Sequence, residues 1–177
     1  MTKTTKRAIA IRLGPFLVAV VVSLVLTFAH STYVNRQGGF IWAAHEGEIS
    51  RMRFLYALGV DVNEPACRYR NCITPLVNAG WGGHPEAIRF LLDRGADVNK
   101  SGKFGKTALM MAAYYGDEDS VKLLLSRGAD VNATGTDGIT ALSLAEEQGH
   151  RTIIDLLRSV SSGGREEVKH LGRVIER

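Results

Sequence analysis

The sequence predicts an all-α chain of 177 residues: a solenoid of about four helix-turn-helix units preceded by one apolar N-terminal helix. Three observations predict it. A motif recurs every 33 residues, apolar residues within each recurrence fall at i, i+3 and i+4, and a basic start gives way to a long uncharged stretch.

The N-terminal element comes first. The chain has 22 Lys+Arg against 18 Asp+Glu, a formal charge of +4. Lys3, Lys6, Arg7 and Arg12 hold that whole surplus, because no acid precedes Glu46 and residues 13–177 keep 18 basic and 18 acidic side chains. A neutral remainder argues against a nucleic-acid partner. Leu13 to Ala29 is uncharged, with Ser23 and Thr27 its polar interruptions. Its 17 residues exceed the roughly 7–15 of a signal-peptide core and reach the lower limit of a membrane span. Counted from Ala8 with Arg12 snorkelling, the 22 residues extend about 33 Å, against a hydrocarbon core of about 30 Å. Thr27-Phe28-Ala29 loosely matches a small-x-small cleavage site. Two readings therefore stand, an uncleaved anchor or a signal removed near Ala29. Under both, the positive-inside rule keeps residues 1–12 in the cytoplasm and sends everything after His30 across the membrane. His30 to Gly39, polar and ending in two glycines, reads as a linker.

The repeated region follows, at residues 40–160. GVDVN at 59–63 and GADVN at 95–99 and 128–132 are one motif; Thr74-Pro75-Leu76, Thr107-Ala108-Leu109 and Thr140-Ala141-Leu142 are another. Gly47, Gly83, Gly116 and Gly149 recur in phase, as do Ala43-Ala44, Ala112-Ala113 and Ala145-Glu146. Over residues 38 to about 160, some 70% of the chain, the sequence resembles the ankyrin-repeat family. The units begin near Gly38, Thr74, Thr107 and Thr140, with spans of about 38–73, 74–106, 107–139 and 140–160. The first is degenerate, with Phe40 in place of the later leucine, and the histidine of the family's T-P-L-H start is replaced by Val77, Met110 and Ser143.

Each recurrent residue has a physical purpose. Threonine before an apolar run can cap a helix, and Pro75 suits a first turn. The recurring glycines end the first helix of each unit. In the second helices, Ile88/Leu91/Leu92 and Val121/Leu124/Leu125 each form one face. A single unit cannot bury that face, so neighbours must stack. Thr152, Asp155 and Arg158 suit a polar end cap, and Ser159 to Gly164 reads as a flexible break. The tail 161–177 is either disordered or a short helix with Val168, Leu171 and Ile175 on one face.

Residues with potential chemistry are few. His84 and His150 follow turn glycines and are expected to be structural; His45 falls on the variable end of a first helix. No spacing of a metalloprotease, phosphate loop or nucleophile elbow occurs. We expect no enzyme activity, metal or cofactor. Cys67 and Cys72 lie in a connection of 15 residues, Gly59 to Thr74, where the later two have 12. Outside the cytoplasm a disulfide could stiffen this loop, free thiols being the alternative. Asn132-Ala133-Thr134 matches a glycosylation acceptor but also ends a GADVN turn, so no function is assigned to it.

The resemblance implies binding of another protein through hairpin tips and the inner helices. Carried over by position, the free sites are Arg70, Asn71 and Ile73 in the loop before the second unit with Trp81 on its first helix, and Lys103, Phe104 and Lys106 before the third with Tyr114 and Tyr115 in it. For the fourth they are Thr136, Asp137 and Ile139 in the loop before it and Glu147 and Gln148 on its first helix; His45 and Glu46 are the first unit's. Tyr114 and Tyr115 could instead pack between repeats, and Trp42, in register with Asn78, Met111 and Leu144, is expected in the core. Aromatic and arginine side chains dominate interface energetics. The expected function is thus a membrane-anchored scaffold or inhibitor for an envelope protein, periplasmic if the source is bacterial, with no small-molecule substrate. The alternative is a soluble accessory, released by signal cleavage, that protects or activates an envelope enzyme. A cytoplasmic effector with an incidental apolar segment is the third possibility.

Overall fold

The computed structural model describes residues 36–68 and 71–162, with Ser23 alone before them. By compactness the chain divides into Met1–Arg36 and Gln37–Arg177. The expected membrane or signal helix at 13–29 lies outside the described residues except for Ser23, and so does the tail 163–177. Among the described residues no helix is long and apolar enough to cross a membrane.

Four helix pairs form the second unit. Helix α1 covers residues 36–45, and α2 is Ile49–Ala57. A hairpin of β1 (Ala66–Arg68) and β2 (Asn71–Ile73) leads to α3 (Pro75–Gly82) and α4 (Pro85–Leu92). The remaining pairs are α5 (Ala108–Tyr115) with α6 (Glu118–Ser126), and α7 (Ala141–Gln148) with α8 (Arg151–Ser161). The first helices α3, α5 and α7 stack in order, as do the second helices α2, α4, α6 and α8.

The T-x-L motif works as a cap. Thr74, Thr107 and Thr140 accept from the backbone N–H of Val77, Met110 and Ser143 at 3.3, 3.3 and 3.1 Å. Loss of the family's histidine weakens the capping expectation, yet the cap survives. Met110 Sδ and Ser143 Oγ accept from the Thr107 and Thr140 N–H groups, completing reciprocal boxes. The G-x-D-V-N motif works as a ladder. Asn63 donates to the Gly95 carbonyl and accepts from Asp97 N–H, both at 2.8 Å, and Asn99 repeats the pattern with Gly128 and Asp130. Each asparagine thereby bonds its own turn to the next.

Stacking buries the expected faces. Ile88, Leu91, Val121, Leu124 and Leu125 are in the core with Phe40, Met52, Leu76, Leu109, Ile153 and Leu157, while Leu92 is half-buried. Each such leucine or isoleucine contributes about 1.5–3 kcal/mol. His84 and His150 cross between units: their rings cover Gly47 and Gly116, and His150 Nε2 lies 3.1 Å from the Tyr114 carbonyl oxygen.

Two boundaries differ from expectation. The segment read as a linker to residue 39 is helical from 36, and Gln37 is buried. Its amide donates to the Asp61 and Glu64 carbonyls at 3.0 and 2.6 Å, tying the first helix to the first GVDVN turn. Of the break expected over Ser159–Gly164, Ser159–Ser161 are instead the last turn of α8, and residues 163–164 lie outside the described residues. Val160 is buried there, and the Ser159 and Ser161 hydroxyls donate to carbonyls three residues back.

Candidate protein-binding face

The inner helices end in a row of side chains set by the turn glycines. Two residues before each glycine stand His45, Trp81, Tyr114 and Glu147; one before stand Glu46, Gly82, Tyr115 and Gln148. At Gly82 no side chain fits, because an added Cβ would run into the His45 carbonyl oxygen. Trp81 is 43% exposed and Tyr115 46%. Tyr114 is half-buried against the core and meets Tyr115 edge-on, with centroids 4.9 Å apart. Tyr114 is therefore a packing residue more than a free one, and Tyr115 carries the exposed ring.

Trp42 corrects the expectation of a core residue, being 57% exposed. Its equivalents Asn78, Met111 and Leu144 are buried. The Asn78 amide donates to the Ile41 carbonyl at 2.9 Å, so this register position faces the preceding unit. Among the described residues no repeat precedes the first unit, which leaves the indole uncovered. The His45 ring then joins Trp42 to Trp81, at 5.5 and 5.4 Å between centroids. Trp42 is thus an exposed ring that register alone misassigned; its place in the terminal unit was the available signal.

The hairpin tips supply the basic groups. Phe104 is 56% exposed with φ of 60°, and Lys103 Nζ lies 4.3 Å above its ring. Lys103 and Lys106 are half-buried. Thr136 Oγ1 donates to the Phe104 carbonyl at 2.9 Å, fixing the third tip to the fourth. Phe104, Lys106, Gly135, Thr136 and Ile139 line a shallow groove there. In the second unit's tip, Cys67 and Cys72 face each other across the hairpin and are joined by a disulfide, S–S 2.06 Å. Ile73 is half-buried; Arg70 and the side chain of Asn71 lie outside the described residues, as does that of Asp137.

Sequence comparison decides what these stacked pairs are. A family model described as ankyrin repeats, three copies, matches residues 40–135 and 100–164. The chain belongs to the ankyrin-repeat family. No curated protein matches it. Ankyrin repeats are protein–protein interaction modules and generally non-enzymatic scaffolds. In this ankyrin domain the exposed rings of Trp81 and Tyr115 stand at inner-helix ends, and Lys103 and Lys106 on a hairpin tip.

Proposed function

We propose that this ankyrin domain reversibly docks another protein of the cell envelope, displayed on the outer side of a membrane and held there by residues 13–29. One observation carries the docking surface: Trp81, Tyr115 and Phe104 are large rings left about half exposed on the inner-helix ends and a hairpin tip. Binding draws its energy from burying those rings, and Lys103 and Lys106, with Arg70, favour a partner whose surface is acidic around an apolar centre. Display outside the cytoplasm is supported by the asymmetry of basic residues about Leu13–Ala29. It is also supported by the cysteine pair set face to face in one hairpin, an arrangement suited to an oxidising compartment.

The test is affinity capture from envelope extracts with the full chain, comparing it with a variant carrying Trp81→Ala, Phe104→Ala and Tyr115→Ala. A partner retained by the first and lost by the second, at similar thermal stability, supports the reading; equal recovery refutes it. Fractionation of the same cells addresses the anchor. A chain resistant to carbonate extraction is anchored, whereas a soluble one shortened near Ala29 is the released accessory.

A further inference from the structure

The first unit exposes two register positions that every later unit covers. Trp42 is one, and Phe54 is the other, at 64% exposure; its equivalents Phe90 and Leu123 are buried and Leu156 half-buried. Phe90 lies edge-on to Tyr56 with centroids 6.2 Å apart, so this position also faces the preceding unit. Trp42 and Phe54 therefore belong to one surface, the N-terminal end face of the stack. Leu58, one turn beyond Phe54, is exposed as well. The opposite end is polar in the way a terminal repeat needs, with Thr152, Asp155 and Arg158 exposed on α8.

We propose that this end face docks on the lipid surface, with Trp42, Phe54 and Leu58 at headgroup level. The proposal rests on the anchor reading above. The apolar stretch ends at Ala29, seven residues before helix α1 begins at residue 36. Fully extended, that tether reaches at most about 25 Å. Residue 36 opens the first unit, so a tether of that length keeps this unit, and with it the end face, within reach of a bilayer. Tryptophan and phenylalanine beside arginine are the residue types that settle at a membrane interface, and exposed Arg51 and Arg53 share α2 with Phe54. Glu46 and Glu48 are also exposed nearby, and Glu48 takes the Arg51 guanidinium at 3.3 Å, so apolar insertion outweighs lipid charge. The consequence for function is orientation: a docked end face holds the inner strip at a fixed angle to the membrane instead of letting it swing on its tether.

The full chain in lipid nanodiscs provides the test. It has two tryptophans, so Trp81→Phe leaves Trp42 as the sole one. The reference combines Trp42→Phe, Trp81→Phe and Tyr115→Trp, which moves the probe two units away. In discs with brominated acyl chains, Trp42 emission is expected to fall about twofold or more, while the reference is unchanged. Adding Phe54→Asp, at an exposed site, is expected to restore it. Unquenched Trp42 in chains that co-migrate with discs overturns the docking and leaves the anchor standing. Quenching unaffected by Phe54→Asp, or shielding of Trp42 from acrylamide without bromine quenching, also overturns it, the latter by assigning the face to a protein surface such as a second copy. Chains that do not co-migrate with discs refute the anchor reading, and the docking with it.

Discussion

The cross-unit histidine contact yields a prediction with its own control. Gly116 and Gly149 occupy equivalent turns with φ of 78° and 76°. Replacing either by alanine costs about 1–2 kcal/mol of left-handed strain. At Gly149 an added Cβ meets nothing within 4 Å. At Gly116 it would lie 2.5 Å from His150 Cε1 and 2.8 Å from both ring nitrogens. The ring must then move, losing its contact with the Tyr114 carbonyl, worth about 0.5–1.5 kcal/mol, and incurring overpacking of about 1–3 kcal/mol. Gly116→Ala should thus cost roughly 2–3 kcal/mol more than Gly149→Ala in urea unfolding followed by circular dichroism. His150→Ala removes the obstacle, so in that background Gly116→Ala should cost no more than Gly149→Ala. Losses at the two glycines agreeing within about 0.5 kcal/mol would refute the idea that His150 fastens the last repeat to the third.

Other perturbations have definite outcomes. Phe104→Gly relieves the left-handed conformation at the third hairpin tip, so it should stabilise the domain by about 0.5–1 kcal/mol in the same unfolding assay while weakening partner capture. Asn78→Ala leaves the Ile41 carbonyl without its buried donor and should cost about 1–3 kcal/mol, measured by urea midpoint. Reducing Cys67–Cys72, which closes a loop of only a few residues, should remove up to about 2 kcal/mol locally. Hydrogen exchange should then quicken in β1 and β2 while α5 to α8 keep their protection.

What the sequence reveals best is whatever repeats. The 33-residue period exposes the helix pairs, the threonine caps and the leucine faces, since each is a local pattern copied three times. The ends are less legible, because burial there depends on which unit stands alongside. Trp42 shares its register position with three buried residues and is exposed because no repeat precedes it among the described residues. Gln37 follows a similar logic: in a polar segment ending in glycines it looks like linker, and only the nearby Asp61 and Glu64 carbonyls make it structural. The lengthened first connection was visible as three extra residues, but strands of three residues have no periodicity to read. Tyr114 and Tyr115 are adjacent and chemically alike. One helix position apart, they face different ways, Tyr114 toward the core and Tyr115 toward solvent.

Photocrosslinking in intact cells tests the binding strip most directly. A benzophenone amino acid at Tyr115, on the inner row, should give one discrete heavier adduct with a protein exposed on the outer side of the membrane. The same probe at exposed Asp119, on the outer helix α6, should give none. Equal adducts from both positions, or adducts from Asp119 alone, would contradict binding through the inner-helix strip.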